Sequence, residues 1–285
     1  MKKVIFVLLH YENKQETINC ITSLEKYLDK NVEIVVVDNG SQKEALHDVQ
    51  EDYSGISGVH FIISKKNLGF AKGNNLGFQY AKKELNPDII ILSNSDTIYN
   101  QDDFIEVLNN DYDKTAFDIA GPRIIRIEDM VNQNPSPQIY HHQSQVFRQM
   151  IKFFVLYLLS YINLDLLLRG KPEKYDFNTD GIINTKYDNY QLHGACLIFG
   201  KNYIKKYDGL YPKTFMYGEE SILKYIAERD NLKMIYLDNI SLDHLEGVSV
   251  ASVFGKGRKN RNFYYKWNLH SCHLLYKLMG GEKRK

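Results

Sequence analysis

The feature that most constrains the fold is a set of four short, β-branched apolar runs in the first hundred residues. The runs are VIFVLL (4–9), VEIVVVD (32–38), VHFIIS (59–64) and DIIILSN (88–94). Their length and composition are typical of strands that are buried on both faces. Apolar residues at helical spacing separate them, as in Ile18, Ile21, Leu24 and Leu28. Strands that alternate with helices predict an α/β fold with a mostly parallel sheet.

Three further runs extend this pattern into the second half of the chain. IAGPRIIRI (119–127), LHGACLIFG (192–200) and KMIYLD (233–238) are predicted strands, and a helix is predicted to begin near Gly218. The polar residues 128–148 include two prolines and are predicted to form a loop.

Composition and charge exclude several classes of protein. Of the 285 residues, 44% are hydrophobic and 25% charged, which excludes a wholly disordered chain and a polytopic membrane protein. The most apolar stretch, 150–168, falls short of the ~20 apolar residues that span a membrane. Residues 256–285 carry nine Lys/Arg and one acid, a net charge of +8, which leaves −7 on the rest of the chain. This asymmetry suggests a polyanionic partner for the basic segment.

The cysteines and the N-terminal segment indicate a cellular compartment. Cys20, Cys196 and Cys272 form neither a disulfide framework nor a CxxC metal pair. The apolar run after Lys3 is too short for a signal peptide and lacks a small-residue cleavage site. Both observations predict a reduced, cytoplasmic protein. NAD binding and P-loop hydrolysis are unsupported, because the sequence has neither GxGxxG nor GK[ST].

Three polar motifs lie after predicted strands, at the edge where parallel sheets bind ligands. VDNGS places Asp38 where a carboxylate can accept hydrogen bonds from a base or a ribose hydroxyl, and NLGFAKGNNLG places Lys72 where it can meet a phosphate. LSNSDT places Asp96 after the fourth run, and carboxylate oxygens are ligands that Mg²⁺ and Mn²⁺ prefer. Taken alone, each residue has a structural alternative: a turn or helix-capping aspartate, or a solvated lysine.

Two further motifs lie in the second half of the chain. MYGEES puts adjacent acids, Glu219 and Glu220, at a predicted helix start. There they are either surface residues that interact with the helix dipole or include a general base with a raised pKa. LDHLEGVS puts His244 after a strand, a position more typical of a core or surface histidine than of a ligand.

The order of these motifs resembles that of glycosyltransferase family 2. VDNGS, NxGFAxGxN, NxDT, the GA pair at 194–195, YGE followed by an acid, and HxxGxS follow one another from Val4 to about Ser249, with an RNFYY echo at 261–265. The resemblance implies a GT-A fold and a nucleotide-diphosphate sugar donor. It also implies a divalent ion, Mg²⁺ or Mn²⁺, and transfer with inversion at the anomeric carbon.

The resemblance also implies roles on the donor side of the site. By position, Asp38 contacts the nucleobase or ribose, and Lys72 lines the nucleotide pocket. Asp96 is the metal-binding acid of a DxD-like motif whose first position is Asn94. His244 matches a histidine that binds the metal or the diphosphate.

On the acceptor side, Glu220 lies where the family has its catalytic base, with Glu219 as its acidic neighbour. The chain departs from the family pattern at several positions. Asn94 replaces the first acid of DxD, and Glu220 stands where Asp is more usual. Ile222 occupies a position that often carries an acid, and Glu12 one that often carries Asn.

The resulting hypothesis is a GT-A domain over 1–255 and a basic, amphipathic helical extension over 256–285. Its predicted partners are a UDP- or dTDP-sugar and a glycan or lipid-linked acceptor in capsule, O-antigen or exopolysaccharide synthesis. A helix through 262–279 separates a polar stripe from an apolar side that includes Trp267 and Leu274. This pattern predicts peripheral attachment to an anionic membrane surface, and packing on the body or in a homodimer is the alternative.

Three other classes of protein stay open from the sequence. A glycosyltransferase-like binding subunit of a polysaccharide-assembly complex is compatible with Asn94 and Ile222. A nucleic-acid-binding protein would explain the basic extension, but the acidic body argues against it. A nucleotidyltransferase would need a Gly-rich basic loop after the first strand, and HYENKQE supplies none.

Overall fold

The protein is built around one mixed β-sheet with helices on both faces. The computed structural model describes residues 1–41, 49–53, 55–168, 183–184, 189–245 and 257–281. In chain order, the strands are β1 (Val4–His10), β2 (Val32–Asp38), β3 (Val59–Ile63), β4 (Ile89–Asn94), β5 (Thr97–Ile98), β6 (Ile119–Arg126), β7 (Val131–Asn132), β8 (Ser136–Pro137), β9 (Ile183–Asn184), β10 (Tyr190–Gln191), β11 (Cys196–Gly200) and β12 (Met234–His244). The α-helices are α1 (Lys14–Leu24), α2 (Phe70–Tyr80), α3 (Phe104–Thr115), α4 (Gln143–Ser160), α5 (Asp165–Leu168), α6 (Lys201–Lys206), α7 (Glu219–Arg229) and α8 (Arg258–Met279).

The apolar runs form strands because each can bury alternate side chains on opposite faces of the sheet. In β1, Val4 and Phe6 enter a core cluster shared with α1 and α3, and Ile5 and Val7 enter a second cluster on the other face. The second cluster also receives side chains from α2, α4, α7 and α8. The predicted α/β architecture is therefore confirmed, and all seven predicted strands are present.

The strand order places several chain segments at one edge of the sheet. The order is β3-β2-β1-β4-β11-β6-β12-β5, in which the first four strands are parallel and β12 is parallel to β6. Strand β11 runs antiparallel to β4 and β6, so it begins where β4 ends, with Cys196 opposite Ser93. Residues 193–195 therefore lie at the carboxyl edge of the parallel strands.

Strand β12 is longer than the predicted 233–238 segment and extends to His244. An irregularity between Leu237 and Ser241 lets the strand keep its pairing with β6. The end of β12 pairs with β5, which brings His244 opposite Thr97. The apolar run of the sequence ends at Asp238, and this backbone pairing carries the strand six residues further.

Part of the predicted loop over 128–148 is wrong, because α4 begins at Gln143. The side chain of Gln145 accepts hydrogen bonds from the backbone amides of His141 and His142, at 2.7 and 3.0 Å. A glutamine that reaches back in this way satisfies amides at a helix N-terminus. The helix thus begins within a polar stretch that carries little apolar periodicity.

Helix α8 packs into the body of the protein. Leu274, Leu275 and Leu278 are buried in the core cluster on that face, and the Tyr225 hydroxyl donates to the Leu278 carbonyl at 2.9 Å. These leucines therefore pack on the body, which is the alternative that the sequence left open, while Tyr264 on the same side of the helix is 41% exposed. Attachment of this segment to a membrane stays a prediction. The boundary between residues 255 and 256 lies outside the described residues, and the domain division stays a prediction.

Among the described helices, none has the length and apolar character needed to cross a membrane. Residues 150–168 fall mostly in α4 and α5.

Candidate active site

Asp38 lies at the carboxyl end of β2 and is buried at the sheet edge. Its Oδ1 accepts a hydrogen bond from the Ser41 amide at 2.9 Å, which is the turn role that the sequence allows. His10, at the end of β1, lies opposite Asp38 in the sheet, and burial lowers the pKa of its imidazole. If Asp38 also binds a ligand, its second carboxylate oxygen, Oδ2, is the atom that would accept the hydrogen bond.

Asn39, which the sequence analysis did not single out, holds the next loop beside Asp38. Its Nδ2 donates to Asn67 Oδ1 and to the Gly69 carbonyl, both at 3.2 Å, and its Oδ1 accepts from the Leu68 amide at 2.9 Å. Gly69 has φ +82, and a Cβ there would lie 2.3 Å from the Phe215 carbonyl oxygen. The start of α2 is therefore fixed between β2 and the segment before α7.

Lys72 lies in the first turn of α2 and is exposed. Two glycines of this helix face the sheet: a Cβ on Gly77 would lie 2.3 Å from Val7 Cγ1 of β1, and one on Gly73 would lie 2.6 Å from Leu9 Cδ1. They let the helix lie close against the sheet, while the Lys72 side chain is exposed. Within the described residues, no hydrogen bond or ion pair joins Lys72 to the other predicted site residues.

Asp96 and His244 are brought together by the pairing of β5 with β12. Their closest side-chain atoms, Asp96 Oδ1 and His244 Nε2, are 3.4 Å apart, and both side chains are buried. His244 Nδ1 lies 2.8 Å from Gln133 Oε1, so Nδ1 carries the proton and donates it to the amide oxygen. This hydrogen bond orients the ring with Nε2 toward Asp96.

A divalent ion fits this pair as a partial ligand set. A carboxylate oxygen and an imidazole nitrogen with its other nitrogen hydrogen-bonded are both ordinary ligands of Mn²⁺, and the carboxylate also suits Mg²⁺. Among the described residues, no group of three or more His, Cys, Asp or Glu side chains could enclose an ion. An ion held by Asp96 and His244 would take its other ligands from water or a bound phosphate group.

The adjacent acids at the start of α7 have different surroundings. Gly218, with φ +80, is the N-cap, and both acids lie in the first turn of the helix. Glu219 is buried, and its Oε1 has no hydrogen-bond partner. Burial, and then the charge of Glu220, raise the pKa of Glu219 to about 8. Burial likewise raises the pKa of Glu220, although a hydrogen bond from the Gly194 amide opposes the shift.

The glycine of the GA pair at 194–195 has a physical role. A Cβ on Gly194 would lie 2.6 Å from Glu220 Oε1, which is too close for van der Waals contact. The absent side chain therefore lets the Glu220 carboxylate lie against the start of β11 and accept the Gly194 amide.

Glu220, unlike Glu219, lines a pocket of about 230 Å³. The walls include the aromatic side chains of Tyr140, Tyr217 and Tyr264, and polar groups that include His193. Aromatic and polar side chains share the walls, and a concave pocket with convergent polar groups is typical of a small-ligand site. The Glu220 carboxylate is one of those polar groups.

His193 joins this pocket to the Asp96–His244 pair. It lines the pocket, and its ring meets that of His244 edge-on at 5.7 Å between centroids. The sequence analysis missed His193, because a single histidine before a GA pair has no spacing that marks it. Asp96, His244, His193 and Glu220 thus form one connected region, while Asp38 lies further along the same sheet edge.

Helix α8 contributes one wall of the pocket, which the interpretation of 256–285 as a separate extension missed. Tyr264, Asn268 and Cys272 line it. The helix is held in place near Asp165, whose carboxylate accepts hydrogen bonds from Arg261 at 2.6 Å and from the hydroxyl of the adjacent Tyr265 at 3.0 Å. The RNFYY echo thus corresponds to residues that anchor and line the pocket.

Comparison with known proteins gives a consistent assignment. The sequence model of Glycosyl transferase family 2 matches residues 5–168, more than half of the chain. A low-salt glycan biosynthesis hexosyltransferase of Haloferax volcanii is 28% identical over 229 residues, which are 80% of this chain and 62% of that protein. A dTDP-rhamnosyl transferase of Shigella flexneri is 30% identical over 122 residues, 42% of this chain and 38% of that protein.

Among solved structures, the crystal structure of GalNAc-T7 with UDP, GalNAc and Mn²⁺ superposes with a TM-score of 0.60. It is 14% identical in sequence, and the match covers 88% of this chain and 45% of that one. At this identity the similarity shows the fold alone.

The chain belongs to Glycosyl transferase family 2. The predicted GT-A fold is confirmed, with the mostly parallel sheet, the flanking helices and the C-terminal helix α8. The chain spans less than two thirds of the length of either curated relative.

Proposed function

We propose that the protein is an inverting glycosyltransferase that moves a hexosyl or deoxyhexosyl group from a nucleotide diphosphate to an acceptor hydroxyl. One observation carries the proposal: the Glu220 carboxylate lines a pocket that is connected through His193 to the Asp96–His244 pair. The residues proposed as the base for the acceptor and as the ligands of a diphosphate-bound cation therefore lie in one region.

The donor is proposed to lie along the carboxyl edge of the sheet. Asp38 contacts the nucleobase or the ribose, Asn94 and Asp96 face the diphosphate, and Lys72 is available to a phosphate from the exposed side of α2. The family membership supports this arrangement. A UDP- or dTDP-sugar is favoured because a relative is named a dTDP-rhamnosyl transferase and a structural neighbour was solved with UDP.

A divalent cation, Mg²⁺ or Mn²⁺, is proposed as cofactor, with Asp96 and His244 as its protein ligands. When bound, such an ion neutralises the charge that develops on the departing diphosphate. The structural neighbour solved with Mn²⁺ supports this choice. The hydrogen bond between His244 and Gln133 keeps Nε2 oriented for that role.

Glu220 is proposed as the general base. The acceptor oxygen attacks the anomeric carbon on the face opposite the leaving group, its proton passes to Glu220, and the carbon–oxygen bond to the diphosphate breaks. A base is most effective when its pKa lies near the working pH, and burial raises the pKa of Glu220 in that direction. The acceptor is proposed to be a glycan or lipid-linked sugar in cell-surface polysaccharide assembly, such as capsule, O-antigen or exopolysaccharide. The glycan-biosynthesis name of the Haloferax relative supports a glycan acceptor.

The test is a pair of neighbouring isosteric variants. A thermal-shift screen of UDP- and dTDP-sugars with Mn²⁺ first identifies the donor, because donor binding to the folded state raises the melting temperature. We then expect Glu220→Gln to lower kcat by about 10²–10⁴-fold with donor affinity retained. Glu219→Gln is the matched control and should transfer sugar more nearly like the wild type.

The activities of the two variants show which glutamate is the base. If Glu219→Gln is inactive and Glu220→Gln active, the base is the neighbouring residue. Normal transfer by both variants would place the base elsewhere. A second candidate function, a binding subunit without activity, is favoured by Asn94 at the first DxD position, and donor binding without turnover in the wild type would support it.

A further inference from the structure

Helix α4 has two apolar faces, and only one of them packs against the protein. Val146, Phe153 and Leu156 are buried in the core cluster that also contains residues of α8. The opposite face continues into the turn after the helix and carries large apolar side chains that are 49–65% exposed. These residues, called here the apolar stripe, are Phe147, Ile151, Phe154, Leu158 and Ile162.

The apolar stripe is continuous. Its members recur every three or four residues, which aligns them on one side of the helix. The leucines of α5 extend it, and Leu167 is 80% exposed. Single exposed hydrophobic residues are common on soluble proteins, whereas a contiguous row of this length marks an interaction surface.

Basic residues flank the apolar stripe on both sides. Helix α4 contains Arg148 and Lys152, both exposed, and no acidic residue. On the other flank, Arg258 at the start of α8 donates to the Tyr161 carbonyl at 3.1 Å. The nearby Asp165 is buried and paired with Arg261. The face is therefore apolar along its centre and positive along its edges, on a chain whose residues 1–255 carry a net −7.

We propose that the α4–α5 face docks on an anionic lipid bilayer, with the apolar stripe among the acyl chains and the basic residues at the headgroups. An apolar helix face with cationic edges has the chemistry of an interfacial helix. Tyr157 and Tyr161, beside the stripe, suit the headgroup region. A second copy fits less well, because symmetric pairing of this face would place its basic edges close to each other.

Docking on this face would bring the pocket close to the membrane. Tyr264 lines the pocket, and its ring packs against that of Phe153 on the inner side of α4, at 6.0 Å between centroids. One helix thus separates the pocket wall from the proposed lipid surface. The docking proposal does not depend on sugar transfer, and its test uses no sugar substrate.

The experiment is flotation of the full chain with vesicles of phosphatidylcholine mixed with phosphatidylglycerol, and with vesicles of phosphatidylcholine alone. We expect the wild type to float with the anionic vesicles. A variant with Ile151→Ser and Leu158→Ser should lose about 10-fold or more of this binding, because two half-exposed apolar side chains leave the interface. The control replaces Ile63 and Met130, exposed apolar residues elsewhere, with serine, and should float like the wild type.

A charge variant tests the electrostatic part. Arg148→Gln with Lys152→Gln should weaken binding to the anionic vesicles by roughly 25-fold, because each basic residue near such a surface is worth about a 5-fold change. Melting temperatures and the monomer content of every variant are measured in parallel.

The proposal is overturned if the wild type binds neither vesicle, or if the Ile151 and Leu158 variant floats as well as the wild type with an unchanged melting temperature. A wild type that is dimeric and does not bind vesicles, with a monomeric serine variant, would assign the face to a second copy.

Discussion

Replacement of Glu219 by glutamine should stabilise the protein, and the gain should grow as the pH rises. Glu219 is buried at the start of α7, its Oε1 has no hydrogen-bond partner, and Glu220 adds a second carboxyl group beside it. Glutamine has the same shape and can still accept the hydrogen bond from Thr214. The substitution removes only the negative charge of the ionised Glu219 carboxylate, which is unfavourable in this buried position.

The magnitude follows from linkage between proton binding and folding. Burial and the charge of Glu220 raise the pKa of Glu219 from 4.5 to about 8. Between these pH values the folded state retains a proton that the unfolded state has released, so wild-type stability falls as the pH rises from 4.5 to 8. At about 1.4 kcal/mol for each pKa unit, the whole shift is worth about 5 kcal/mol. Because Glu220 titrates together with Glu219, we expect a gain of roughly 2–4 kcal/mol above about pH 8.

The measurement is urea unfolding of the wild type and of Glu219→Gln from about pH 5 to about pH 9. The two free energies of unfolding should nearly coincide at the acid end and separate steadily toward the alkaline end. Glu106→Gln, at an exposed position in α3, is the control and should run parallel to the wild type. A constant difference between Glu219→Gln and the wild type over this range would refute the argument, because Glu219 would then be ionised in the fold without cost.

Two further predictions follow from the site geometry. Gly194→Ala should lower kcat by roughly 10–100-fold with donor affinity unchanged, because its Cβ would displace the Glu220 carboxylate from the pocket. The control is Gly55→Ala, since nothing lies within 4 Å of a Cβ at that position. Equal rates for the two variants would contradict the role given to the close contact between Gly194 and Glu220. Asp96→Ala should abolish the Mn²⁺ dependence of UDP or dTDP binding, measured by calorimetry, while His244→Ala should only weaken this dependence. If the Mn²⁺ dependence is unchanged in Asp96→Ala, Asp96 is not a metal ligand.

The strand pattern of the sequence predicted much of the fold, and the order of the motifs predicted the family. Short β-branched runs bury on both faces of a sheet, so their positions follow from local composition. The carboxyl ends of parallel strands share one edge, so Asp38 and Asp96 could be expected at that edge before any coordinates were known. Helix α4 was missed at its start because a side-chain cap, and not apolar periodicity, begins it.

Contacts between distant segments were decided by tertiary structure alone. His193 and His244 meet because β11 runs antiparallel to its neighbours and β12 extends beyond its apolar run. The adjacent acids of α7 differ only in the direction that the helix gives them, so one is buried and the other lines the pocket. Sequence alone identified the candidate side chains other than His193, since the chemistry a residue can offer is set by its type. Which of them meet was determined by strand pairing and helix rotation, which depend on packing over the whole chain.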